Sequence, residues 1–158
     1  MIKRTLKLFA LFLILTYSLN SCQADNECET SAISHAKLDF YIIEDDKEKA
    51  VGVEGISIYG LGREDSLIYE IDTISYALLQ LSPAADTVGF VFDYGSFSDT
   101  ISFLYKTNKH FESIECGFIA NFDIDTVKYS ENAIDSVALI DKTITSEDEQ
   151  EHVKIFFK

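Results

Sequence analysis

The residues able to do chemistry in this chain are few in kind and scattered. His35, His110 and His152 stand far apart in the sequence. Cys22, Cys28 and Cys116 form no C-x-x-C pair and have no histidine pair beside them, so their spacing lacks the form of a zinc site. There is no nucleophile elbow of the G-x-S-x-G form, no H-E-x-x-H pair and no phosphate-binding G-x-x-x-x-G-K loop. Carboxylates are abundant, 27 in all, so neighbours such as Asp45 and Asp46 say little about acid–base chemistry. Asp123 and Asp125 with Glu131, and Glu147-Asp148-Glu149, could offer oxygen ligands to calcium. Neither has the spacing and turn glycine of a calcium loop, so both are expected to be solvated turns. The histidines are expected at the surface or at strand edges. Tyr41, Tyr59, Tyr69, Tyr76 and Tyr94 are expected mainly in the core, with a glycan-binding strip as the alternative. The expectation is a protein with no catalytic residues, no metal and no cofactor, hence not an enzyme; a hydrolase is the weaker alternative.

Charge narrows the partners. The chain has 158 residues, 13 basic and 27 acidic, for a net charge of -14. Nucleic acid and anionic headgroups are bound through positive charge, so this surface disfavours both, and no nucleic-acid partner is expected. Hydrophobic residues make up 47%, enough for a packed core and too many for a disordered chain.

The N-terminus has the pattern of an exported protein. Lys3, Arg4 and Lys7 precede an unbroken apolar run from Leu8 to Leu15, far short of the roughly 20 residues of a membrane span. Leu19-Asn20-Ser21-Cys22 follows and resembles the lipobox of bacterial lipoproteins. The resemblance implies cleavage before Cys22 and a diacylglyceryl thioether on its sulfur. Two or three acyl chains hold a protein at a bilayer where one does not. An ordinary signal peptide with a plain cysteine is the competing reading. The expected divisions are a signal peptide over residues 1–21, a lipidated tether over 22–36 and a folded domain over 37–158. Removing residues 1–21 leaves 10 bases against 27 acids, a net -17.

With Cys22 lipidated, Cys28 and Cys116 remain in a compartment that permits disulfides. They are expected to pair, closing a long loop worth about 4–5 kcal/mol in the chain-entropy account. Two free thiols are the alternative.

From residue 37 the pattern has period two and no capped helical stretch. Strands are expected at Lys37 to Ile43, Val51 to Tyr59, Ser66 to Ile71, Ser75 to Leu81, Thr87 to Tyr94, Thr100 to Lys106 and His110 to Phe122. Weaker strands follow, and Val153 to Phe157 closes the chain. Turns are expected at Asp45 to Lys49 and at Thr107-Asn108-Lys109, and a bend within Asn121 to Asp125. Val88, Phe90, Phe92 and Tyr94 face Ile101, Phe103 and Tyr105 across a short hairpin and should form the heart of the core. Ile114, Cys116, Phe118, Ala120 and Phe122 are expected to point inward. About eight or nine short strands imply an all-β fold, an antiparallel β-sandwich that is immunoglobulin-like in the broad sense, with a small closed barrel as runner-up.

The mature chain also resembles a family of small uncharacterised lipoproteins from Bacteroidetes. The matching features are Cys22, Cys28, Gly60-Leu61-Gly62, Asp99-Thr100-Ile101 with Tyr105, Cys116-Gly117-Phe118, Ile144-Thr145 and His152-Val153-Lys154-Ile155. The resemblance implies location and fold, and carries no catalytic residue. Asp25, Glu27 and Glu29 look like the surface-export signal of such lipoproteins, so both the periplasmic face and the cell surface of the outer membrane stay open. The expected function is that of a lipid-anchored envelope protein, a binding or structural module. Its contact with the membrane runs through Cys22, and its partner would be a protein or glycan. The alternative is a glycan- or peptide-binding accessory lipoprotein of an outer-membrane uptake system.

Overall fold

The computed structural model describes residues 34–158 apart from 115–116 and 147–149. Among the described residues there are eleven strands and no helix. They are β1 (His35–Glu44), β2 (Lys47–Ala50), β3 (Val53–Gly60), β4 (Leu67–Ile74), β5 (Tyr76–Gln80), β6 (Thr87–Asp93), β7 (Ser98–Ser113), β8 (Gly117–Tyr129), β9 (Ile134–Leu139), β10 (Thr143–Ile144) and β11 (Val153–Phe157). One sheet runs β2-β1-β11-β9, with β5 also pairing β1. The other runs β10-β8-β7-β6-β3-β4. The two sheets pack face to face as a β-sandwich.

Alternation decides what each strand buries. Ala36, Leu38 and Phe40 of β1, Ala77 and Leu79 of β5, and Val153 and Ile155 of β11 are fully buried from one sheet. Ile56, Ile58, Phe92, Ile101 and Phe103 meet them from the other. Phe40 meets Phe92 of the opposing sheet edge to face at 6.2 Å and Phe157 of its own sheet at 5.4 Å. Each such buried side chain stabilises the fold by ~1.5–3 kcal/mol.

The expected hairpin core is present in β6 and β7. Their register pairs Phe90 with Ile101 and Phe92 with Asp99. Three local expectations are corrected. The turn after β1 is only Asp45-Asp46, both at positive φ, as a two-residue hairpin turn requires; Lys47–Ala50 is a short edge strand. No turn occurs at Thr107-Asn108-Lys109. β7 runs on to Ser113, and Asn108 donates from Nδ2 to Asp123 on β8 at 2.6 Å. No bend breaks Asn121 to Asp125 either, because the ladder absorbs the irregularity as a bulge. Leu104 pairs with Thr126 and Tyr105 with Ile124, so Asp125 is the extra residue. The sandwich is also not wholly antiparallel: β1 and β11 pair in parallel, Leu38 with Val153 through Ile42 with Phe157.

A buried carboxylate ties the two layers together. Asp99, fully buried at the start of β7, accepts from Ser130 Oγ at 2.6 Å and from the backbone N–H groups of Asn132, Ala133 and Ile134 at 2.8, 2.7 and 3.1 Å. These donors lie where the chain leaves β8 in one sheet and enters β9 in the other. Burial pushes the carboxyl up, but the Ser130 hydroxyl and the three N–H groups outweigh it and hold the pKa below the usual carboxylate value. Lys158 Nζ closes the same loop by donating to the Glu131 and Asn132 carbonyls.

Asp99→Ala strands three inward N–H groups and is expected to cost about 2–4 kcal/mol in urea unfolding. A depressed folded pKa means that the contribution is present above about pH 4 and is lost as pH falls through the folded value. Thermal melts between about pH 2 and pH 5 should therefore show a shallower acid limb for Asp99→Asn than for the natural protein.

Candidate functional site

β7 is longer than the sheet partner on its other side. β6 pairs with it only as far as Leu104, and Tyr105 N–H still donates to the Asp86 carbonyl at 2.9 Å. Beyond that point, among the described residues, β7 pairs with β8 alone. Lys106–Ser113 and Gly117–Asn121 thus form a two-stranded arm reaching past the sandwich. Gly117, at φ 72°, begins its returning strand.

The arm ends in exposed apolar side chains. Phe111 is 57% exposed, Ile114 88% and Phe118 73%. Phe111 and Phe118 are cross-strand partners with ring centroids 5.7 Å apart. They stand on the face that, nearer the body, sends Tyr105 and Phe122 into the core. This overturns the expectation that Ile114 and Phe118 point into the core. The side of β8 that carries Phe118 is the inward side, but Phe118 lies past the end of the opposing sheet, so no described strand packs over it. Burial of such a side chain is worth ~1.5–3 kcal/mol, which a binding surface can recover on contact.

Below the tip lies an open groove of about 730 Å³. Tyr105, Lys106, Thr107 and Lys109 of β7 line one side and Pro83 to Asp86 the other. The buried Tyr105 fixes its floor: the phenol donates to the Ser82 carbonyl at 3.0 Å and accepts from Ser82 N–H at 3.1 Å. Thr107 Oγ1 is buried there without a hydrogen-bond partner. Lys106 lies 3.6 Å from Asp125 across the arm. The chain joins the fold at the arm's base, where the buried Ser34 donates from Oγ to the Ala120 carbonyl at 2.8 Å.

Two other places are polar or hollow. On the outer face of the smaller sheet, Lys154 pairs with Glu48, lies 4.0 Å from Glu151 and stands over the Tyr41 ring. The Glu48 contact raises the Lys154 pKa, and the Glu151 hydrogen bond raises that of Tyr41. Both groups therefore keep their protons at neutral pH, the opposite of an activated base or nucleophile. At the end away from the arm, Ile42, Val51, Val53, Tyr94 and Phe157 line an apolar cleft of about 480 Å³. Burial, aided by the Asp99 charge, holds the Tyr94 proton on well above the usual phenol range.

Among the described residues, the side chains singled out from sequence are not assembled into a centre. Cys22, Cys28 and Cys116, and Glu147-Asp148-Glu149, lie outside the described residues. His35 is half-buried on β1 and His110 is exposed on the arm. His152 corrects the surface expectation: it is fully buried, accepts from Lys37 N–H at Nδ1, 3.1 Å away, and donates its own N–H to the Lys37 carbonyl. Among the described residues no group of three or more histidine, cysteine or acidic side chains is placed to hold a metal. Asp123 is engaged by Asn108 and Thr143, and Asp125 by Lys106. The five tyrosines share no face: Tyr69 and Tyr94 pack on the core, while Tyr41 and Tyr76 lie outside beneath Lys154 and Lys37. Sequence reasoning missed the arm. Its one signal was Gly117, the last glycine of the chain, read as part of a continuous strand.

A family model described as a family of unknown function, DUF6452, matches residues 55–157. No curated protein and no solved structure matches the chain.

The exposed tip contributes little to folding. Phe111→Ser with Phe118→Ser is expected to change unfolding free energy by less than about 1 kcal/mol, while Phe103→Ala costs about 3–5 kcal/mol. Denaturant titration of the two variants checks this contrast.

Proposed function

We propose that this chain, which belongs to the family of unknown function DUF6452, is a lipid-anchored, non-enzymatic binding module of the bacterial outer membrane, held through Cys22 and presenting the β7–β8 arm. One observation carries the reading. The lipobox-like Cys22 stands twelve residues before Ser34, and Ser34 is bonded to the arm's base at Ala120. A lipid on Cys22 would therefore tether the domain from the end that carries the arm. A Cys28–Cys116 disulfide fits the same arrangement: Cys28 stands six residues before Ser34, and Cys116 four residues before Ala120.

A second reading, capture of an extended peptide, rests on the edge of β7 that β6 leaves open and on the groove beside it. A peptide added there would satisfy main-chain groups by β-augmentation. It would slow hydrogen exchange at amides between Lys106 and Phe111.

Membrane fractionation with intact mass measurement tests the anchor. The natural product should sediment with the outer membrane and carry diacylglyceryl mass on Cys22, whereas Cys22→Ala should be soluble or unprocessed. A cleaved Cys22→Ala product that stays with the membrane would overturn the anchor. A nonreducing peptide map reads the disulfide separately, and free thiols at both positions would remove it.

A further inference from the structure

We infer that the arm tip is a second membrane contact: Phe111, Ile114 and Phe118 seat in the interfacial layer of the same bilayer that holds the lipid, and so orient the domain. This rests on the anchor reading. The occupant is a lipid surface for three reasons. First, the chain outside the described fold ends at the arm. Twelve residues from Cys22 to Ser34 reach at most about 40 Å when extended, and Ser34 sits on Ala120, only two residues along β8 from Phe118. A tether that starts beside the tip favours seating the tip at the bilayer.

Second, the tip has the chemistry of an interfacial anchor. Three large apolar side chains, two of them aromatic, project from one hairpin end with Lys109 and His110 just behind them. Aromatic side chains favour the headgroup level, and lysine stems extend along apolar surface while keeping the ammonium in water. Third, the charge pattern permits it. The domain as a whole is strongly acidic, but the segment from Lys106 to Asn121 carries Lys106 and Lys109 against Glu112 and Glu115. The arm can therefore approach a neutral lipid surface without the repulsion that the body would meet at an anionic one. The backbone limits the depth. A two-stranded arm leaves edge N–H and C=O groups that hydrocarbon cannot satisfy, so only side chains enter and the strands stay at the headgroup level.

The chain contains no tryptophan, so one introduced residue is a clean reporter. Phe118→Trp places it at the tip. Phe97→Trp places it in the β6–β7 turn, at the other end of β7, where Phe97 is 49% exposed. Each lipidated full-length protein is reconstituted into phosphatidylcholine vesicles containing brominated lipid, and Cys22 lipidation is verified by mass. The expected result is about a twofold loss of emission for Phe118→Trp, strongest with bromine near the headgroup, and none for Phe97→Trp. Lipid confirmed on Cys22 with no quenching at position 118 overturns the tip contact and leaves the anchor standing. Equal quenching at both positions overturns the orientation. Shielding at position 118 that follows protein concentration and not lipid assigns the tip to a second copy, and also overturns it. An unmodified Cys22 in the mass spectrum removes the anchor, and this inference with it.

Discussion

A single ionised carboxylate holds the layers of this protein in register. Asp99 is fully buried, and four donors converge on it from the segment that crosses between the sheets. A buried charge is costly unless its lone pairs are used, and here they are used by the Ser130 hydroxyl and by three N–H groups of the crossing. One interaction thus meets two demands: it neutralises the cost of the carboxylate and satisfies the N–H groups of the crossing. Thr100 N–H donates to Ser130 Oγ and Ser130 N–H to the Thr100 carbonyl, so the hydroxyl between Asp99 and the crossing is itself fixed.

The two ends of the sandwich differ because of this clasp. At the Asp99 end, Lys158 and the start of β7 are bonded to the crossing, Asn132 Nδ2 donating to the Ser98 carbonyl, and the cleft beside it is mainly apolar. At the other end the ties are neutral hydrogen bonds, Tyr105 with Ser82 and Ser34 with the Ala120 carbonyl. Strands β7 and β8 outrun their neighbours, leaving aromatic rings with no opposing sheet. Exposed rings of this kind add little to the stability of the fold and leave apolar surface in water. The shifted titratable groups are all held in their resting protonation states. Asp99 is locked as an acceptor, Tyr41 and Tyr94 are held protonated, and Lys154 is held as an ammonium.

Two of the motifs behind the family resemblance acquire physical reasons. Asp99-Thr100-Ile101 is the clasp followed by a core residue, and Tyr105 pins the Leu81-Ser82-Pro83 connection through paired bonds to Ser82. His152-Val153-Lys154-Ile155 opens the strand that pairs in parallel with β1, with His152 engaging Lys37 at both its ring and its backbone. These residues serve the fold, which is why reading these motifs points to architecture.

The sequence by itself determined the class of fold and most of the core. Period-two burial is a local property, and it placed Phe90, Phe92, Ile101, Phe103 and Tyr105 inside before any coordinates. It could not tell where a strand outlasts its neighbour, because that depends on pairings between residues distant in the chain. Thr107-Asn108-Lys109 has turn composition but lies within a ladder, and Phe118 has core character but no opposing sheet. His152 was likewise legible only once β1 and β11 met. Tertiary structure decided these points for one reason: burial belongs to the space between two sheets, and a strand's own alternation does not say where that space stops.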